Sequence, residues 1–200
     1  MRVPTLAPAY VGGVQLIAYA SKRLLGATAR RDLLRSCSTN VDNLTAGRRS
    51  TLVTSALLVE EPMELPYALL LLAVLGYAEY AHGAWWTAGV FLFGHVGATL
   101  LVYGGLRAGH PSPATRAALD VGTSYGFYAV LGALTSALPR GALRGGARVA
   151  LLALAAKPLL NRGRTFTDAG HLAALGLGLG VAGVVDHRAE AVDYRSVLNW

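Results

Sequence analysis

The sequence predicts an all-α membrane protein, a polytopic bundle of about six transmembrane helices in one domain, residues 1–200. Of its residues, 54% are hydrophobic and only 14% are charged, whereas a soluble domain carries about a quarter charged residues. The mean hydropathy is +0.43, and the apolar residues gather into long segments between charged or proline-containing stretches. The predicted spans are residues 3–20, 65–82, 84–106, 117–138, 143–160 and 166–185.

The charge pattern favours lipid over nucleic acid as the partner of this chain. The net charge is +7, but the basic residues lie between apolar segments and form no stripe with aromatic residues, as loop charges and contacts with anionic lipids would. A single cysteine, Cys37, leaves no intrachain disulfide or thiolate metal site. We expect membrane lipids as partners, no nucleic acid, no cofactor and no metal, and a multi-pass position in the cell membrane.

The first span and the connector after it leave one alternative open. Residues 3–20 carry no charge and are just long enough to cross a bilayer. A cleaved signal peptide is the alternative, because Ala18-Tyr19-Ala20 has the small-x-small form of a cleavage site. Residues 21–64 form a connector whose basic residues and leucine pairs predict an amphipathic segment at the membrane interface. Within it, Ser38-Thr39-Asn40 predicts a helix cap or turn.

The second span, 65–82, has a short charge-free core, so Glu64 or Glu79 must lie at an interface or face protein. The third, 84–106, is the clearest, and two adjacent tryptophans anchor its start.

His95 lies near the middle of the third span. We expect His95, with Thr99 four residues later, to form an interhelical hydrogen-bond pair rather than to bind metal, because no second histidine or carboxylate lies at ligand spacing.

The last three spans place one serine and one histidine at similar depth. Two crossings separate the starts of 117–138 and 166–185, so both start on the side of the connector, whereas 143–160 is weakened by Lys157. Ser124 and His171 each lie roughly 7–11 Å below that shared surface. A serine facing a histidine is the minimum for an activated nucleophile.

Each polar residue near this pair has a plainer interpretation. Ser124 is expected otherwise to bond the carbonyl four residues before it or a neighbouring helix. His171 would then pair with Asp168, three residues earlier on the same face. Asp120 is expected to cap the fourth helix, where negative charge is favoured. The glycine run from 176 to 183 indicates helix packing rather than phosphate binding.

The residues around this pair resemble a known family. Gly122-Thr123-Ser124-Tyr125-Gly126 opens one span and Thr167-Asp168-Ala169-Gly170-His171-Leu172 opens another. Together they resemble the rhomboid intramembrane serine proteases, and most closely the rhomboid-like multipass proteins of actinobacteria. The Phe93–Thr99 stretch and Ser38-Thr39-Asn40 fit the same group, so that the resemblance covers roughly residues 38–185.

The resemblance implies a catalytic dyad. Ser124 would be the nucleophile and His171 its general base, with no essential aspartate. Gly122 and Gly126, spaced four apart on one helical face, would pack against Gly176 and Gly180 of the sixth span, 166–185. The long connector would correspond to the family's partly embedded first loop.

Two departures from the family pattern leave the activity open. Active rhomboids usually carry glycine directly after the serine, where this chain has Tyr125. Their histidine and asparagine that hold the oxyanion align near Glu64 and Ala68, which cannot donate as required. A missing oxyanion donor costs roughly 10²–10³ in rate.

Three functions are therefore weighed. The first is a serine endopeptidase that cleaves membrane-embedded or juxtamembrane peptide bonds. The second is a catalytically inactive relative that binds transmembrane segments of other membrane proteins. A transporter or channel subunit is third, because neither a broken helix pair nor a repeated half is evident.

Overall fold

The computed structural model describes residues 3–163 and 165–197, with side chains described as far as His187. Within these residues the chain forms α-helices and short 3-10 turns and no strand, which confirms the predicted all-α bundle. The helices are α1 Leu6–Leu24, α2 Ala27–Cys37, α3 Val41–Thr45, α4 Thr51–Thr54, α5 Leu65–His82, α6 Ala84–Ala108, α7 Pro113–Arg116, α8 Ser124–Leu134, α9 Ala142–Ala156 and α10 Phe166–Val197.

Six of these helices, α1, α5, α6, α8, α9 and α10, overlap the six predicted apolar segments, and several of them extend beyond the predicted ends. Among the described residues, three helical stretches are long and apolar enough to cross a membrane, Leu65–His82, Ala84–Ala108 and Phe166–His187. The predicted span 117–138 is different, since helix α8 begins only at Ser124 and a 3-10 turn, Thr135–Ala137, follows it. The residues before Ser124 form a loop, and the serine is consequently the first residue of its helix.

Helices α6, α8 and α10 cross at Ala129, a fully buried residue of α8. A Cβ atom added to Gly94 of α6 would lie 1.9 Å from the Cβ of Ala129, and one added to Gly178 of α10 would lie 2.0 Å from its carbonyl oxygen. Only glycine permits approaches this close.

The prediction that Gly176 and Gly180 mediate the packing of α10 on α8 is wrong. No atom lies within 4 Å of a Cβ placed on either residue. Both glycines are exposed, because α10 turns the face that carries Gly178 towards α8.

Glu79 ties the end of α5 to the start of α1. Its carboxylate accepts hydrogen bonds from the backbone N–H groups of Thr5, Leu6 and Ala7 at 2.8–2.9 Å. These N–H groups have no acceptor within α1, so the carboxylate takes the position of a helix cap. Glu79 is 5% exposed, and it therefore faces protein, one of the two positions expected for it.

A charged cluster holds the opposite ends of α8, α9 and α10 together. Asp186 of α10 pairs with Arg144 at 2.5 Å and with Arg148 at 3.0 Å, both on the first two turns of α9. Arg144 also donates to the carbonyl oxygens of Ser136 and Leu138, and Arg148 donates to the hydroxyl of Thr135. Both arginines of α9 thus have a carboxylate partner within the bundle.

Replacement of Asp186 by alanine should destabilise the bundle, since it leaves two largely buried arginines without a carboxylate. The expected loss in the free energy of unfolding is about 2–4 kcal/mol, measured by denaturation in detergent. Asp42→Ala is the matched control, because it breaks the exposed pair with Arg116, whose side chains are 41% and 48% exposed. That change should cost less than about 1 kcal/mol. Equal losses for the two variants would contradict the claim that the Asp186 cluster stabilises this end of the bundle.

Candidate active site

Ser124 and His171 form a hydrogen-bonded pair at one end of the bundle. The Oγ of Ser124, the first residue of α8, lies 2.9 Å from the Nε2 of His171 on the second turn of α10. The two helices run in the same direction, because Tyr125 lies against Gly170 and Ala129 against Gly178. Matched depth on parallel helices therefore brings the two side chains together, as the topology predicts. The Ser124 hydroxyl bonds to a residue of α10 rather than to a carbonyl oxygen of its own helix.

Tyr128 fixes the orientation of the histidine ring. It lies four residues after Ser124, hence on the same face of α8, and its ring stacks on that of His171 with centroids 4.7 Å apart and planes inclined by 23°. Sequence reasoning missed this residue, although an aromatic side chain one turn from the serine was a usable signal. A stacked ring restricts the imidazole to rotations that keep its edge towards Ser124.

Tyr125 forms a buried wall behind the pair. Its ring is 3% exposed and meets His171 edge-on, at a centroid distance of 5.6 Å. Gly170 makes room for it, since a Cβ there would lie 2.3 Å from the tyrosine ring. The side chain points into the protein, and its hydroxyl lies 3.5 Å from the carboxylate of Asp120.

Asp120 does not cap α8, contrary to expectation. Its carboxylate accepts a hydrogen bond from the Tyr103 hydroxyl at 2.9 Å as well as the longer one from Tyr125, and the cap position is held by Thr123 without a side-chain bond. Burial raises the pKa of the Asp120 carboxyl to about 6, although the two tyrosine hydroxyls act in the opposite direction. The carboxyl group thus belongs to the wall of the site rather than to its helix terminus.

The loop before Ser124 is held by the connector. The backbone N–H of Asp120 donates to the Ser38 hydroxyl at 2.8 Å, and its carbonyl oxygen accepts from the N–H of Thr39 at 3.1 Å. The N–H of Gly122 donates to the carbonyl oxygen of Ser55. Gly122 has φ +151°, a conformation that suits glycine, so the expectation that it shares a helical face with Gly126 is wrong.

Gly126 lies at a close helix contact, but its neighbour is the third predicted span and not the sixth as expected. A Cβ at this position would lie 2.4 Å from the ring of Phe91 on α6.

The imidazole of His95 is hydrogen-bonded to the connector rather than to the side chain of Thr99. Its Nε2 lies 2.9 Å from the Ser55 hydroxyl, while the Thr99 hydroxyl donates to the backbone carbonyl of His95 at 2.7 Å. Of the expected interhelical pair, His95 thus bonds beyond its own helix, whereas the Thr99 hydroxyl bonds within α6. Within the described residues, no group of three histidine, cysteine, aspartate or glutamate side chains is placed to hold a metal ion.

Asp168 stabilises the start of α10 and is not hydrogen-bonded to His171. Its carboxylate accepts from the backbone N–H and the hydroxyl of Thr165 at 2.7 and 2.9 Å. Among the described residues, the hydrogen bond made by the His171 imidazole is the one to Ser124, and none joins it to Asp168.

Helix α5 supplies a hydroxyl near the serine instead of a histidine and an asparagine. Glu64 is exposed and Ala68 is buried in the core, so neither approaches the role that their alignment suggests. Tyr67, between them, has its hydroxyl 2.9 Å from that of Thr123, the residue before Ser124.

Replacement of Asp120 by asparagine should change how stability depends on pH. The folded-state pKa of Asp120 is near 6, above the ordinary value of about 3.9. The protonated carboxyl therefore contributes fully to the free energy of unfolding below about pH 4, and this contribution is lost as the pH rises through about 6. Between pH 4 and pH 7.5, the free energy of unfolding of Asp120→Asn should therefore rise by up to about 3 kcal/mol relative to that of the wild type. Thermal unfolding in detergent measures the gain, and a difference between the two proteins that stays constant with pH would refute it.

A family model described as rhomboid-like protein matches residues 8–191, nearly the whole chain. No curated protein and no solved structure matches this chain. The matched region begins within α1, ends within α10 and contains both members of the serine–histidine pair. With its apolar helices, the chain is a membrane protein that belongs to the family of rhomboid-like proteins.

Proposed function

We propose that this protein is an intramembrane serine endopeptidase that uses a dyad of Ser124 and His171 to cleave membrane-embedded or juxtamembrane peptide bonds. The observation that carries the proposal is the 2.9 Å contact between the serine Oγ and the histidine Nε2. Both residues are only partly buried, so a substrate can reach them. The partners are then transmembrane segments of other proteins, met in the cell membrane.

The chemistry is acyl transfer. His171 Nε2 takes the proton of the Ser124 hydroxyl while Oγ attacks the carbonyl carbon of the substrate. The tetrahedral intermediate collapses as the C–N bond breaks and His171 returns the proton to the leaving amine. A water molecule, deprotonated by the same histidine, then releases the acyl group.

Two features support stabilisation of the oxyanion without the family's histidine and asparagine. Ser124 is the first residue of α8, and the N–H groups of a helix's first turn have no acceptor within the helix, at its positive end. The Tyr67 hydroxyl, 2.9 Å from the hydroxyl of Thr123, would be a second donor at this end if it turns its proton towards the substrate. Donors aimed at developing negative charge account for much of the rate in acyl transfer.

Labelling with a fluorophosphonate probe tests the dyad. Detergent-purified wild-type protein should be labelled, and Ser124→Ala and His171→Ala should each abolish labelling, because one removes the nucleophile and the other its base.

Ser136→Ala is the matched control for that experiment. This serine lies at the other end of α8, where its hydroxyl donates to the carbonyl oxygen of Ala133, and its loss should leave labelling unchanged. Absence of labelling in folded wild-type protein would overturn the peptidase proposal, as would labelling that survives Ser124→Ala.

Tyr128 should act as a positioning residue. Tyr128→Phe keeps the stacked ring and should label at nearly the wild-type rate, whereas Tyr128→Ala frees the imidazole and should slow labelling about tenfold or more. Rates of labelling against probe concentration measure the effect. Equal slowing by the two substitutions would mean that the hydroxyl, and not the stacking, matters.

A second function is favoured by the residues at the start of α5. Glu64 and Ala68 offer no oxyanion donor, and without one the serine–histidine pair is a poor catalyst. The same bundle would then bind transmembrane segments of other proteins without cleaving them. Wild-type protein that retains a bound transmembrane peptide while resisting the probe would support this function.

A further inference from the structure

A cleft lies where the connector meets the end of α6, on the same side of the bundle as Ser124. Its volume is about 400 Å³, and its walls come from α3, from the turn into α4 and from the last turns of α6. Two arginines, Arg49 and Arg107, stand at this cleft together with three leucines, Leu44, Leu52 and Leu100. The cleft is independent of the serine–histidine pair.

The guanidinium groups of Arg49 and Arg107 have no hydrogen-bond or ion-pair partner among the described residues. Some other basic side chains on this side do have one, as Arg116 does in its pair with Asp42 at 2.9 Å. That pair also occupies the only carboxylate of α3. Arg49 and Arg107 are exposed, so the cleft presents two positive charges that nothing in the described chain compensates.

The charged and apolar parts of the cleft lie at different depths. Arg107 is the penultimate residue of α6, a helix long and apolar enough to cross the membrane, and thus lies at the interface. Leu100 lies two turns earlier, which places it about 10 Å deeper on the same face. Leu100 is 50% exposed, as a residue that faces hydrocarbon would be. Cationic groups above an apolar floor match the head group and acyl chain of a lipid.

We propose that this cleft binds an anionic phospholipid, with Arg49 and Arg107 on its phosphate and Leu44, Leu52 and Leu100 along its acyl chain. Guanidinium groups suit this ligand because they form two parallel hydrogen bonds with phosphate oxygens. The inner wall of the cleft includes Tyr103, whose hydroxyl bonds Asp120 in the loop before Ser124. A bound lipid would therefore lie directly behind the loop that leads to the serine.

Native mass spectrometry of the full chain in detergent tests the proposal, with dioleoyl phosphatidylglycerol and dioleoyl phosphatidylcholine as probes. The wild type should bind phosphatidylglycerol at least about tenfold more tightly, since each arginine at a membrane surface contributes substantially to binding an anionic lipid. Arg49→Gln combined with Arg107→Gln should remove the preference. The single variant Arg107→Gln should reduce it, and provides the same test if the double variant does not fold.

The matched control is Arg23→Gln combined with Arg31→Gln. These arginines are exposed on the same connector and away from the cleft, and their loss changes the net charge equally. The control should keep the preference to within about twofold. A wild type without preference, or an equal loss in the control, would overturn the site.

Inorganic phosphate distinguishes a lipid head group from a free anion. Excess phosphate should fail to displace phosphatidylglycerol, because it gains nothing from the apolar floor. Displacement by phosphate at comparable concentrations would overturn the lipid assignment. Neither result depends on whether Ser124 reacts with a fluorophosphonate.

Discussion

The close crossing of α6, α8 and α10 at Ala129 is the constraint on which the rest of the structure depends. Glycines on both sides of this alanine, Gly94 and Gly178, bring the helix backbones into direct contact. A hydrogen bond between side chains as short as those of serine and histidine requires helices at this separation. One larger residue at the crossing would push α10 outwards and part Ser124 from His171, although neither would itself have changed. The packing of the core thus determines the geometry of the site.

The second constraint is the fixed loop before Ser124. A helix that began at residue 117 would bury the serine two turns inside it, with every nearby N–H group bonded to a carbonyl. The connector prevents this, because Ser38, Thr39 and Ser55 hold the backbone of Asp120 and Gly122 in an extended course. Helix α8 therefore starts at the serine itself and leaves its first N–H groups unpaired. A segment that resembles an amphipathic surface helix in the sequence thereby shapes the site.

Much of the site could be predicted from the sequence, because depth follows from counting residues in helices that start on one side. That reasoning paired Ser124 with His171 correctly. The reasoning failed where residues of one type lie on several faces of a helix, or where one residue could fill several roles. The spacing of Gly176 and Gly180 matches a packing motif, yet the face that contacts α8 carries Gly178. Asp120 is the type of residue that caps a helix, but its carboxylate accepts hydrogen bonds from the hydroxyls of Tyr103 and Tyr125 instead. The partner on α6, Tyr103, leaves no local pattern in the sequence around Asp120.

The chain contains a second serine–histidine contact, and the comparison shows why distance alone does not identify a nucleophile. Ser55 Oγ lies 2.9 Å from the Nε2 of His95, the same separation as in the pair of Ser124 and His171. Ser55 is 1% exposed and also contacts the Thr39 hydroxyl at 3.0 Å, so a substrate carbonyl has no path to its oxygen. Ser124 is partly exposed and begins a helix, where unpaired N–H groups meet developing negative charge. Access and an electropositive surrounding, added to the hydrogen bond, distinguish Ser124, the proposed nucleophile, from Ser55, which links the connector to α6.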